Sequence, residues 1–224
     1  MVIPVWSLAG SDCCSAIQGV SSILMTLPEH AICSALIAQF GVRQRLGTRG
    51  VVLVTLAGIS PDADSAAKLF GDEHFWSLHH ALGHSLLSVI VLSAAMAAIG
   101  SWVFNVRPFH YLFLWCCIAA VVHCFTDALY WWGIQPFWPF RSTEIRLNVI
   151  EYLDLIVLGL WLSAAVCLYK FRNHGVRIAS LTFVAFGFYV LLRAALPQPT
   201  GFWNLVMGGW MYESPQGTPV LDWW

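Results

Sequence analysis

The stretch PFHYLFLWCCIAAVVHCFTD, residues 108–127, decides the fold. Its part from 108 to 126 contains no Asp, Glu, Lys or Arg. At a rise of 1.5 Å per residue, a helix of this length crosses the roughly 30 Å hydrocarbon core of a bilayer. The stretch therefore predicts a membrane-spanning helix with His123 and Asp127 near one end.

The composition of the whole chain agrees with a membrane protein. Of its 224 residues, 58% are hydrophobic and 10% are charged, against roughly 45–50% and about 25% in soluble domains. So few charged side chains cannot cover a soluble globule of this size, and the aromatic content excludes disorder. The net charge of -1 gives no electrostatic basis for nucleic-acid binding. We therefore expect the lipid bilayer, and no nucleic acid, as the partner of the chain.

Further apolar stretches predict an all-α fold of about six helical segments. Residues 85–106 form a second clear span, and 155–169 and 178–192 become spans when flanking polar residues lie at the membrane interface. The stretches 31–42 and 50–61 are too short to cross a bilayer alone, and we interpret them as tilted or partly sheltered helices. Nothing shows the sustained alternation of a barrel. The prediction is a polytopic membrane helix bundle with four clear spans and two short N-terminal segments.

The charges of the connecting segments predict the orientation of the bundle. On one side, the segments 43–49, 107 and 170–177 contain seven basic residues and no acidic one. On the other side, the segments 62–84 and 127–151 are rich in Asp and Glu. The positive-inside rule makes the basic side cytoplasmic. We expect a multi-pass protein of a bacterial cytoplasmic (inner) membrane whose acidic side faces outward.

Three regions are predicted along the chain. Residues 1–24 contain no Lys or Arg and so lack the positive region of a signal peptide, and we interpret them as a flexible lead or a translation-start artefact. Residues 25–196 form the membrane-embedded domain, and 197–224 form a Trp-rich tail that faces outward. The seven cysteines show no CxxC spacing and predict no disulfide framework.

Histidines and aspartates collect on the predicted outer side although they belong to segments far apart in the sequence. Taken singly, each has a structural interpretation, such as a helix cap, a Pro-Asp turn or a solvated loop histidine. Their common location instead indicates a functional site. The residues are His30, Asp62, Asp64, His74, His79, His80, His84, His123 and Asp127.

His123 and Asp127 are the most informative pair. They are spaced i and i+4, so they share one face of the predicted span. An aspartate near the membrane interior is costly unless it is paired or metal-bound, and such residues are functional candidates. The alternative is a buried His–Asp hydrogen bond that holds helices together.

The other segments complete a set of metal ligands. Two carboxylates placed two residues apart, Asp62 and Asp64, suit a divalent cation because carboxylate oxygens are hard ligands. Mixed imidazole and carboxylate ligands without cysteine fit catalytic zinc or a two-metal site, with Mn or Fe as alternatives. We expect one to three ions, held by His30, Asp62, Asp64, His79, His84, His123 and Asp127.

These motifs in this order resemble the YdjM-like family of predicted membrane-bound metal-dependent hydrolases. The family's usual Arg is replaced here by His80, which removes a guanidinium suited to phosphate. The resemblance covers roughly residues 25–141, because the last two helices carry no motif, and it implies that the domain 25–196 is a membrane-embedded metal-dependent hydrolase domain. The matching motifs are His30, Pro61-Asp62-Ala63-Asp64, His79 through His84-Ser85, His123 to Asp127, and Trp138-Pro139-Phe140.

The order of the ligands is similar, more distantly, to that of zinc-dependent phospholipase C. This analogy implies that Asp127 bridges ions and that Asp62 or Asp64 is the base that activates water. The sequence therefore predicts an enzyme that hydrolyses an amphiphilic substrate, with a phosphoester slightly favoured. One alternative is a haem-binding electron-transfer protein that uses His84 and His123. The other is a transporter or scaffold that binds metal without hydrolase activity.

Overall fold

A computed structural model describes residues 27–63, 79–130, 133–150 and 154–195, without the side chains of His79 and His80. The described residues form six α-helices, and their only extended pairing is a single bridge between Ile134 and Ile145. The predicted all-α fold is confirmed. The helices are α1 (27–37), α2 (Val42–Ile59), α3 (Leu86–Trp102), α4 (Phe109–Ala128), α5 (Leu155–Lys170) and α6 (Gly175–Ala195).

Within the described ranges, two helical segments are long and apolar enough to cross a membrane. They are Phe109–Ala128, with 20 residues, and Arg172–Ala195, with 24 residues, which includes a 3-10 turn before α6. The apolar helices α3 and α5 are shorter, with 17 and 16 residues. Helix α6 exposes a stripe of large apolar side chains, as expected of a helix that faces lipid. The stripe consists of Leu181, Val184, Phe188 and Leu191.

The second helix differs from the predicted stretch at its N-terminal side. Helix α2 begins at Val42 and so includes residues 43–49, which we interpreted as a connecting segment. Gly47 breaks this helix, with φ 65° and ψ -162°, a conformation that glycine adopts without a Cβ clash. The basic segment is therefore one short helical piece joined by a bend to the longer part of α2.

The helices pack around two neighbouring cores. Helices α2, α3 and α4 share the first core, in which Leu53, Ala97 and Leu112 are buried. Helices α1, α5 and α6 share the second, in which Trp161 and Phe186 are buried. Successive helices run in opposite directions through the bundle. The starts of α1 and α3 therefore lie at the same end as the ends of α2 and α4.

The basic segments meet at the opposite end. A guanidinium N–H of Arg49 donates to the carbonyl oxygen of Phe104 at 3.3 Å, which joins the bend of α2 to the α3–α4 connection. Gly175, at the start of α6, packs so closely on Gln39 that a Cβ there would overlap the amide oxygen. These contacts agree with the predicted grouping of the basic segments at one end.

Candidate metal centre

Three histidines and two aspartates meet at the acidic end of the bundle. They come from α1, from the turn after α2, from the segment before α3 and from α4. All five side chains are buried, each with no more than 6% of its residue exposed. They are His30, Asp62, His84, His123 and Asp127.

His30 and Asp62 are held by two helices in close contact. His30 lies in the first turn of α1, and Asp62 lies in the 3-10 turn 60–63 that follows α2. A Cβ at Gly58 of α2 would overlap Oγ of Ser34 in α1. Because Gly58 has no side chain, the two helices approach closely enough for their polar residues to meet.

His84 is held at the start of α3. It follows the π-helical turn His79–Gly83 and directly precedes Ser85, which caps the helix. Oγ of Ser85 accepts a hydrogen bond from the backbone N–H of Ser88 at 3.1 Å, the usual arrangement of an N-cap. The cap fixes where α3 begins and so fixes the position of the preceding imidazole.

Four side-chain atoms form a compact shell, all within 4.8 Å of one another. Nε2 of His84 lies 2.7 Å from Oδ2 of Asp127 and 3.5 Å from Oδ1 of Asp62. Nε2 of His123 lies 3.2 Å and 3.5 Å from the same two oxygens, and the two Nε2 atoms are 3.1 Å apart. Ligands of one tetrahedral zinc ion, with bonds of about 2.0–2.2 Å, are separated by about 3.4 Å. The four atoms therefore have the spacing of ligands to a single ion.

The charges of the centre also fit a divalent cation. Burial alone would raise the pKa of the Asp62 carboxyl, but the charge and hydrogen bond of His123 and the hydrogen bond of His84 outweigh burial and leave that pKa below its usual value. Burial would lower the pKa of His84, but its hydrogen bonds with Asp127 and Asp62 raise it to about 10. Two buried carboxylates thus need positive charge nearby. A divalent cation held by neutral imidazoles supplies this positive charge.

His30 faces the second oxygen of Asp127. The Thr126 hydroxyl donates its one hydrogen to the carbonyl oxygen of His123 at 2.7 Å. Its oxygen can therefore accept from Nδ1–H of His30, 3.3 Å away. Nε2 of His30 then lies 3.1 Å from Oδ1 of Asp127. Histidines that bind metals typically donate a hydrogen bond from one ring nitrogen, and this bond fixes the ring so that the other nitrogen can bind the ion.

A half-buried carboxylate, Glu29, lies beside the centre. Its Oε1 accepts a hydrogen bond from Nε1–H of Trp161 at 2.8 Å, and its Oε2 accepts one from the hydroxyl of Tyr130 at 3.0 Å. These bonds tie the start of α1 to α5 and to the end of α4, one residue away from His30. Neither Glu29 nor Thr126 belongs to the set of site residues predicted from the sequence.

The described centre contains five of the seven predicted ligands. Asp64 lies outside the described residues, as does His74. The backbone of His79 belongs to the π-helical turn before His84, but its side chain and that of His80 are outside the described part of the structure.

The loop 133–150 contains the remaining predicted features. The carbonyl oxygen of Pro136 accepts a hydrogen bond from the backbone N–H of Leu86 at 2.9 Å, which places the loop beside the start of α3. Phe140 of the Trp-Pro-Phe motif is 83% exposed. Arg146 forms an ion pair with Glu144 at the surface of the loop.

Comparison with known proteins agrees with these features. The YdjM inner membrane protein family matches residues 25–199. The chain is 29% identical over 142 residues to the "Uncharacterized protein YfhP" of Bacillus subtilis (strain 168), an alignment that covers 63% of this chain and 43% of that relative. The chain thus spans less than half the length of the curated relative it matches. No solved structure matches. Since the family match covers most of the chain and two apolar helices are long enough to span a bilayer, this chain is a membrane protein and belongs to the YdjM inner membrane protein family.

Proposed function

We propose that the protein is a multi-pass, integral-membrane, metal-dependent hydrolase. The observation that supports this most strongly is the meeting of buried imidazoles and carboxylates at ligand spacing. A divalent ion bound there, zinc with Mn or Fe as alternatives, would act as a Lewis acid and lower the pKa of a coordinated water toward about 7. His84, His123, Asp62 and Asp127 are the residues that hold it.

The protein side chains also orient the reactants. Asp62 would bind the ion through Oδ1, which lies 3.5 Å from both histidine nitrogens, and its second carboxylate oxygen would then be beside the coordinated water as the proton acceptor. Asp64 is the alternative base implied by the sequence. The burial of Asp62 and Asp127 keeps bulk water away from these charges, which strengthens their electrostatic effect.

We further propose that Asp127 bridges two ions. Its Oδ2 faces His84 and His123, and its Oδ1 faces His30. Nε2 of His30, 3.1 Å from Oδ1 and oriented by the contact of Nδ1 with Thr126, supports a second cation next to Oδ1. Asp64 and His79 are the predicted further ligands of that ion.

The substrate we propose is an amphiphile, with a phosphoester slightly favoured. The centre lies at one end of helices that include the 20-residue span Phe109–Ala128, so a molecule anchored in the bilayer surface could approach it laterally. The positive-inside rule favours an outward-facing centre. The C-terminal tail would then also face outward, so a C-terminal reporter active only in the cytoplasm would contradict this orientation.

An assay of ester hydrolysis distinguishes the proposed hydrolase function from that of a metal carrier or scaffold. We expect the purified protein to hydrolyse members of a panel of amphiphilic phosphomonoesters and phosphodiesters, to lose this activity with a chelator and to regain it when metal is returned. His84→Ala should abolish turnover, whereas His110→Ala, at the other end of the bundle, should retain it. A wild-type protein with full metal content and no turnover on any ester would instead favour the carrier or scaffold.

The haem alternative receives no support from the geometry. Haem held by two histidines has its iron between nitrogens on opposite sides of the macrocycle. Here Nε2 of His84 and Nε2 of His123 are 3.1 Å apart, with both carboxylates next to them. The rings leave no room for a macrocycle between them.

A further inference from the structure

A cavity of about 740 Å³ lies at the basic end of the bundle, away from the metal centre. It opens between the start of α2 and the turn that joins α5 to α6. The buried side chain of Gln39 and the backbone of Gly175 are in contact here. Three guanidinium groups line the cavity, those of Arg43, Arg172 and Arg177. The proposed hydrolase chemistry uses none of these residues.

The three arginines have no acidic partner among the described residues. The described carboxylates all belong to the metal-centre end of the bundle or to the loop and helix start beside it. The guanidinium of Arg43 reaches the amide oxygen of Gln39 at 3.4 Å, and that of Arg172 lies 5.4 Å from the ring centre of Tyr169. The described carboxylates are Glu29, Asp62, Asp127, Glu144 and Asp154.

Helix α6 adds to the positive potential of the cavity. This helix of 21 residues begins at Gly175 and has no acidic residue in its first turn. The N-terminus of a helix carries a partial positive charge and backbone N–H groups without intrahelical partners. Together with three arginines around one cavity, it forms a surface suited to an anion with several oxygen atoms.

We propose that this cavity binds a phosphate group, carried either by an anionic phospholipid headgroup or by a soluble phosphate ester. Guanidinium groups match phosphate oxygens in bidentate geometry, and basic pockets between helices at a membrane surface are typical sites for phospholipid headgroups. The cavity is lined by Arg172 and Arg177, at the start of the apolar segment Arg172–Ala195, and the end of a membrane span is where headgroups are expected. At the same end, the Arg45 guanidinium lies 4.4 Å from the ring centre of Tyr111, in the first turn of the span α4.

Native mass spectrometry of the protein released from nanodiscs tests the proposal. We expect the wild-type chain to retain phosphatidylglycerol from mixed discs and to retain no phosphatidylcholine. The triple variant Arg43→Gln, Arg172→Gln, Arg177→Gln should bind phosphatidylglycerol about a hundredfold more weakly. The matched control is Arg45→Gln, Arg49→Gln, Arg107→Gln, which removes equal charge from the same end and should retain the lipid.

A second arm identifies the source of the phosphate. In discs of phosphatidylcholine alone, inorganic phosphate should raise the unfolding temperature if a soluble ester is the ligand, and should leave it unchanged if the lipid headgroup is required. The unfolding temperature without phosphate also verifies that each triple variant is folded. Equal lipid loss in both triple variants, or no lipid retention and no phosphate effect in the wild type, would overturn the proposal.

Discussion

Asp127→Asn should leave the purified protein without bound metal. Asparagine keeps the shape of the side chain but loses the charge and replaces one oxygen by a donor N–H. Both oxygens of Asp127 are within 3.2 Å of histidine nitrogens, Oδ2 next to His84 and His123 and Oδ1 next to His30. A bridging carboxylate is therefore lost from both proposed ions at once. Since neutral histidines tolerate burial better than unpaired carboxylates do, the variant should still insert and purify.

Metal content per chain, measured by elemental mass spectrometry, gives a graded series. We expect two ions in the wild type, one in His30→Ala and none in Asp127→Asn. Glu144→Gln is the matched control because it removes a partly exposed carboxylate from the same end and should keep both ions. Full occupancy in Asp127→Asn would contradict the centre itself. If the wild type and His30→Ala both contain one ion, the proposal that Asp127 bridges two ions is wrong, but the proposal of a single metal site is not.

The core of this centre could be predicted from the sequence because helix geometry constrains it. The spacing of His123 and Asp127 places them on one helix face, and the charge-free stretch around them predicts a helix close to the observed Phe109–Ala128. The alternation of helix directions then brings Asp62 and His84 to the same end. Neither step requires knowledge of which helices pack together.

The contacts of Glu29 could not be predicted in this way. Its partners are 101 residues away, at Tyr130, and 132 residues away, at Trp161. A tryptophan in an apolar helix is common in membrane proteins, and no local spacing links it to a glutamate near the N-terminus. Glu29 and Trp161 come into contact because α5 packs against α1, and the sequence does not indicate that packing.

The bend at Gly47 was also missed, for a different reason. A cluster of arginines without apolar periodicity is typical of a connecting segment, and the sequence there does not indicate a helix. The structure instead shows helix α2 on both sides of the bend. The arginines of this piece differ in their surroundings, since Arg43 lines the cavity and Arg49 contacts the α3–α4 connection.

The largest effect on stability is expected at Trp161. Its side chain is fully buried, and its indole lies 5.2 Å from the ring of Phe186 and 6.1 Å from that of Phe183, measured between ring centres. Trp161→Ala should lower the free energy of unfolding by about 3–5 kcal/mol, because the removed ring leaves a cavity in the second core. Trp102, which is 84% exposed, offers the matched control, and Trp102→Ala should change stability little.

Trp161→Phe separates packing from the hydrogen bond to Glu29. Phenylalanine fills most of the same space but cannot donate, so the Glu29 carboxylate loses one of its partners at a cost of about 1–3 kcal/mol. Because Glu29 directly precedes His30 in the chain, this loss should also weaken metal binding, by less than the about 10–100-fold typical of groups that hydrogen-bond a metal ligand directly. Competition with a metal-binding dye measures that affinity, with Trp102→Phe as the control. If Trp161→Phe lowers stability but leaves the metal affinity at the wild-type value, the Glu29 network supports only the packing of α5 and does not position the metal ligands.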